Sequence, residues 1–257
     1  MLTIRRAQFK AFEVVKPVIF IPIMIKRLAE KFPALAQLIG EEGLIKIIEA
    51  GIIKSKQYGI EIAYETGVFI EMSVFFGSAF DTDPLLKWAG EILKSKLSSP
   101  GEKIISLASE AMEFMNRTIA DEMIYPVPQF NKIINTSFQE LVIAFEHASQ
   151  SEFSNFLKKC WPEKFNLLKP EDLDLLFSLS SGRADDYNFK SNEAKYYYTL
   201  LMFLLGHRFD MDPQYPWIVE LLNDPQYDEE FYKASSLHFT VQHLFRELME
   251  MEPITND

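Results

Sequence analysis

The chain has 257 residues, 48% of them hydrophobic and 25% charged, so it can bury a sizeable core without disulfides or metal. Its net charge of −11 argues against nucleic acid or an anionic membrane as partner, since both would repel it. A lone cysteine, Cys160, rules out an internal disulfide and points to a reducing compartment.

The N-terminus imitates a signal peptide. Arg5 and Arg6 precede an apolar stretch from Val18 to Ile25, and Ala34, Leu35 and Ala36 resemble a cleavage site. Lys26, Arg27, Glu30 and Lys31 lie where such a leader stays neutral, and the stretch is shorter than the roughly 20 residues of a membrane span. The expectation is a soluble cytoplasmic protein.

Helical periodicity follows in chain order. Over residues 41–58, Leu44, Ile47, Ile48 and Ile52 share one face and Gly59 fits a C-cap. Residues 62–76 are apolar almost all round in their last two turns, as a central helix should be. Gly77 then ends that helix, Phe80 covers a turn, and Asp83 before Pro84 reads as the N-cap of a new helix carrying Trp88. An amphipathic helix spans about 101–121. Residues 121–135 hold Pro126 and Pro128 and read as a linker.

The second half repeats the scheme. Gly-x-x-Phe-Asp-x-Asp-Pro-x-x-x-Trp occurs at 77–88 (Gly77, Phe80, Asp81, Asp83, Pro84, Trp88) and at 206–217 (Gly206, Phe209, Asp210, Asp212, Pro213, Trp217). The shift of 129 also aligns Leu28 with Leu157, Pro33 with Pro162, Tyr58 with Tyr187 and Glu91 with Glu220. The predicted fold class is therefore all-α, as two tandem helical bundles over residues 1–128 and 129–257, with a second central helix at 191–205. A last helix over 228–250 carries Phe231, Ala234, Leu237, Phe239, Val241, Leu244 and Leu248, and residues 252–257 read as a frayed tail.

Candidate chemistry is sparse. Asp81 with Asp83, and Asp210 with Asp212, could ligate a hard cation, but beside a helix start capping is the simpler use. His147, His207, His238 and His243 show no metal-binding spacing, and Cys160 has only Lys158 and Lys159 to activate it. Tyr196, Tyr197 and Tyr198 face different directions on a helix, so one of them should reach the surface or a groove. The reading is of a protein with no catalytic residues, no metal and no cofactor.

Charge is divided unevenly. Residues 1–129 carry 15 Lys and Arg against 16 Asp and Glu, a net of −1, whereas 130–257 carry 11 against 21, a net of −10. The acidic loops of the second half, at Asp185 and Asp186 and at Asp228, Glu229 and Glu230, are the expected contacts for a basic protein partner.

The start Met1 to Arg5, the Phe32-Pro33 break, Tyr58-Gly59-Ile60 and the Phe-Asp-x-Asp-Pro motif resemble a bacterial all-helical family encoded beside type VI secretion effectors and spike-tip proteins. The resemblance covers most of residues 1–97 and again 187–230. It implies an immunity protein that binds and neutralises a cognate effector toxin in the cytoplasm. The alternative it implies is an adaptor or chaperone that loads an effector onto the secretion spike.

Overall fold

The computed structural model describes residues 14–118 and 131–251. Among these the protein is all-helical, with 13 α-helices, three 3-10 turns and a single isolated bridge between Val14 and Ile62. No helix among the described residues is long and apolar enough to cross a membrane.

The first half holds α1 (Pro17–Lys31), α2 (Pro33–Gln57), α3 (Ala63–Phe76), α4 (Lys87–Lys94) and α5 (Pro100–Thr118). The second holds α6 (Asn131–Ile134), α7 (Phe138–Phe145), α8 (Gln150–Cys160), α9 (Pro162–Phe165), α10 (Pro170–Asp186), α11 (Asn192–Leu205), α12 (Pro216–Asn223) and α13 (Glu230–Glu250). The bounds of α3 and α11 differ by 129 residues at both ends, as do those of α4 and α12 and of the 3-10 turns Phe80–Thr82 and Phe209–Met211.

Local chemistry sets these boundaries. Phe32 and Trp161 each precede a proline that cannot continue the helix before it but suits the first position of the next. α2 begins eight residues before the span read from periodicity, and Gly40 breaks it at φ 65°. α2 and α10 close alike: Gly59 at φ 75° and Asn188 at φ 65° both take the left-handed region, which glycine and asparagine tolerate best. α7 and α8 start from full capping boxes, Ser137 with Glu140 and Ser149 with Glu152.

Two expectations need correction. Asp83 and Asp212 do not cap α4 and α12, which begin at Lys87 and Pro216 with no side-chain cap. Each aspartate instead closes a turn, accepting the amide two residues on: Leu85 to Asp83 Oδ1 at 2.8 Å, and Gln214 to Asp212 Oδ1 at 2.9 Å. Phe231 and Phe239 are exposed rather than core, while His238 beside them is fully buried. Of the linker, residues 131–134 form α6; Pro126 and Pro128 lie outside the described residues, as does the tail.

α11 is the axis of the second half, buried at every position from Tyr197 to Leu205, and one continuous core surrounds it. α3 in the first half is buried at seven positions and separates two smaller cores. Tyr196 is half-buried and stacks on Phe153 at 4.2 Å, so Tyr197 and Tyr198 are the interior pair of that triplet.

Candidate functional site

The Gly-x-x-Phe-Asp-x-Asp-Pro segments meet. α3 and α11 end against each other at Gly77 (φ 93°) and Gly206 (φ 96°). A Cβ on Gly206 would lie 2.8 Å from the Phe76 carbonyl, and one on Gly77 3.2 Å from the Leu205 carbonyl. Only glycine combines that backbone with that approach.

Each aspartate then reaches across the seam. Asp212 Oδ2 accepts the Ser78 amide at 2.6 Å, and Asp83 Oδ2 accepts the His207 amide at 3.0 Å. Residues two positions further on also cross. Leu85 joins the core of the second half, and Gln214 donates to the Ser73 carbonyl of α3 at 3.0 Å. Trp161 Nε1 adds a bond to the Thr118 carbonyl at 2.9 Å.

Two helix C-termini facing one another bring partial negative charges together, and two buried carboxylates add to them. Cations answer. Lys54 donates to the Ser78 carbonyl at 2.6 Å. Lys164, fully buried, donates to the Phe203 carbonyl in the last turn of α11 at 2.6 Å and lies over the Trp161 and Phe203 rings. Burial lowers its pKa to about 8, against the pull of Asp83. Burial likewise raises the Asp212 carboxyl, opposed by its bonds from Ser78 and Gln214. A cavity of about 60 Å³ opens here, lined by Phe76, Gly77, Asp83, Trp161, Lys164 and Gly206. It has room for about two waters.

The other aspartate of each pair is used within its own half. Asp81 accepts from Tyr58 at 2.6 Å and pairs with Lys54 at 2.6 Å. Asp210 accepts from Tyr187 at 2.8 Å and pairs with Arg183. Burial, then the bond to the carboxylate, pushes both phenols well above their usual range. Lys54 and Arg183 are functional partners that sequence reasoning missed; the structure pairs Lys54 with Asp81 and Arg183 with Asp210. The clue was their spacing of 129 within the same motif register. The four aspartates are therefore engaged by protein donors, although Asp210 Oδ1 is buried without a hydrogen bond. Among the described residues no group of three His, Cys, Asp or Glu side chains is placed to hold a metal ion.

The histidines divide. His147 and His243 are exposed, and His243 lies 3.3 Å from Glu247. His238 is fully buried between the Tyr197 hydroxyl at 3.2 Å and the Thr136 carbonyl at 2.9 Å, and burial lowers its pKa to about 4. His207 is largely buried beside the seam, where burial lowers its pKa. Cys160 is buried, and burial raises its thiol to about 11, the reverse of what a nucleophile needs.

The acidic loops converge on the turn before α11. Asp185 pairs with Lys190 and Lys195, each at 3.1 Å, and Asp186 with Arg183 at 3.1 Å. Glu230 accepts the Lys190 and Ser191 amides at 2.7 Å, so it holds α13 to that turn. Asp228 and Glu229 are exposed and enter no ion pair among the described residues. Of the five acids expected to meet a partner, these two are the least committed within the protein.

The chain matches no known protein family, no curated protein and no solved structure.

Proposed function

We propose that the protein is a tandem duplication that serves as a protein-binding module: an immunity protein that covers a basic effector toxin in the cytoplasm. One observation carries this reading. The motif shared by the two halves is consumed in joining them, while Asp228 and Glu229 of the second half lie exposed with no ion pair among the described residues. Charge complementarity of that kind speeds encounter and selects partners. The resemblance to proteins encoded near type VI secretion effectors supports the same role.

The duplication reading draws on the recurrent motif and on the matching bounds of α3 with α11 and α4 with α12. Its units would be residues 1–128 and 129–257, packed as one body through the glycine seam.

The test is co-expression with the product of the adjacent gene, followed by an assay of that product's toxicity. Neutralisation in a stable complex supports the immunity reading, and Asp228→Lys with Glu229→Lys should then slow association about tenfold and flatten its salt dependence. Binding without neutralisation moves the reading to an adaptor or chaperone. The apolar outer face of α1, where Val18, Ile19 and Ile23 are exposed, favours that second reading, because adaptors hold apolar segments.

A further inference from the structure

We infer that the N-terminal half of α13 is the docking surface, and that its occupant is a cationic segment of a partner protein with apolar side chains set between its lysines and arginines. The inference rests on the binding-module reading and places its contact. Tyr232 and Phe239 are 61% and 63% exposed, seven residues apart on one face of α13, and Phe231 is 48% exposed beside them. The Phe231 and Tyr232 rings lie 6.1 Å apart, and Phe239 lies 6.3 Å from the His238 ring. Asp228 and Glu229 stand immediately before this strip. Large aromatic anchors beside uncommitted charge are the composition of a binding hot spot with a polar rim.

Comparison with the first half shows that this helix register forms without aromatic side chains at these positions. Lys103 and Lys233 each donate to a helix-ending tyrosine carbonyl, Tyr58 or Tyr187, at 3.3 Å, which fixes the register between α5 and α13. In that register Leu107 and Leu237 are both buried, as are Ala111 and Val241. The exposed positions diverge. Ser98 and Ser99 correspond to Asp228 and Glu229, and Gly101, Glu102 and Ser109 to Phe231, Tyr232 and Phe239. In this register, aromatic anchors and the acid pair occur together in the half whose net charge is −10 and not in the other, which is why the occupant is assigned a positive charge.

The experiment titrates the full chain by calorimetry with a 14-residue helical peptide of Lys and Leu, and with a second in which Ser replaces Leu. Hydrogen exchange maps the contact. The expected result is binding of the Lys/Leu peptide, protection gained over residues 228–243, and at least tenfold weaker binding of the Lys/Ser peptide. Tyr232→Ala with Phe239→Ala should weaken the Lys/Leu peptide at least tenfold; both side chains are mostly exposed, so the variant keeps its fold. Asp228→Asn with Glu229→Gln should reduce the salt dependence. No binding, equal binding of the two peptides, an unaffected aromatic variant, or protection confined to the Val18 face of α1 would each overturn the inference. Against the cognate toxin, neutralisation retained by the aromatic variant fails this surface alone. Failure of the wild-type chain to neutralise, with the peptide results intact, fails the toxin reading alone.

Discussion

The two central helices show how one framework is filled in two ways. α3 keeps charge on its flank: Glu71 forms an ion pair with Arg27, and Lys31 reaches the same carboxylate at 2.9 Å. At the matching positions of the second half stand Leu200, Phe156 and Cys160, and the core there is continuous. The first half thus spends buried area on an ionic contact whose net stabilisation is small, whereas the second fills the space with apolar side chains. The lesson is that shared helix bounds do not require a shared core, because glycine turns, proline starts and tyrosine-aspartate bonds set the frame.

The seam offers a sharp break at the junction of the two halves. Gly206→Ala should destabilise by about 3–4 kcal/mol, since it combines a disfavoured backbone with a methyl group 2.8 Å from a carbonyl oxygen that cannot move freely. Gly77→Ala meets its carbonyl at 3.2 Å and should cost about 2 kcal/mol. Urea unfolding of both variants measures the ordering; equal losses would mean that the seam relaxes as easily from either side.

Acid should break the second half through a group the first half does not have. His238 is neutral in the fold with a pKa of about 4, below the ordinary 6.5. The unfolded chain therefore binds the proton first, so the contribution is full above pH 6.5 and is lost as pH falls through 4. The loss should reach about 3 kcal/mol at the acid end. His238→Gln should give a flatter stability profile between pH 6.5 and 4, whatever its stability at neutral pH. An unchanged slope would assign the acid loss to His207 and the carboxylates instead.

Much of this frame was legible in the sequence. The central helices, expected over 62–76 and 191–205, occupy Ala63–Phe76 and Asn192–Leu205, because an apolar run ended by glycine has few other structures open to it. The glycines that end both central helices, Gly77 and Gly206, were equally visible as local patterns. The role of Asp83 and Asp212 was not. Asp-Pro is a valid local helix-start signal, but here one oxygen closes a turn and the other is claimed by an amide 124 or 134 residues away. No window of sequence encodes that the two glycine turns touch. The acids at 185 and 230 were likewise readable as charge but not as the internal partners of Lys190, Lys195 and the amides before α11.

The smallest expected effect bears on the contrast between the central helices. Glu71→Leu should cost no more than about 1–2 kcal/mol, because the lost pair is offset by burial of the new side chain and Lys31 is half in solvent. Leu200→Glu, the reciprocal change, buries a charge in a fully enclosed position and should cost at least about 4 kcal/mol or prevent folding. The asymmetry follows from what surrounds each site. Near position 71 two cations stand ready and the side chain keeps 12% of its exposure, whereas Leu200 has none. If adding Lys at 156 and 160 rescued Leu200→Glu, the two halves would be interchangeable at this contact, and their difference would be one of side chains alone; if it did not, the backbone around α11 has closed too tightly to admit the ionic form.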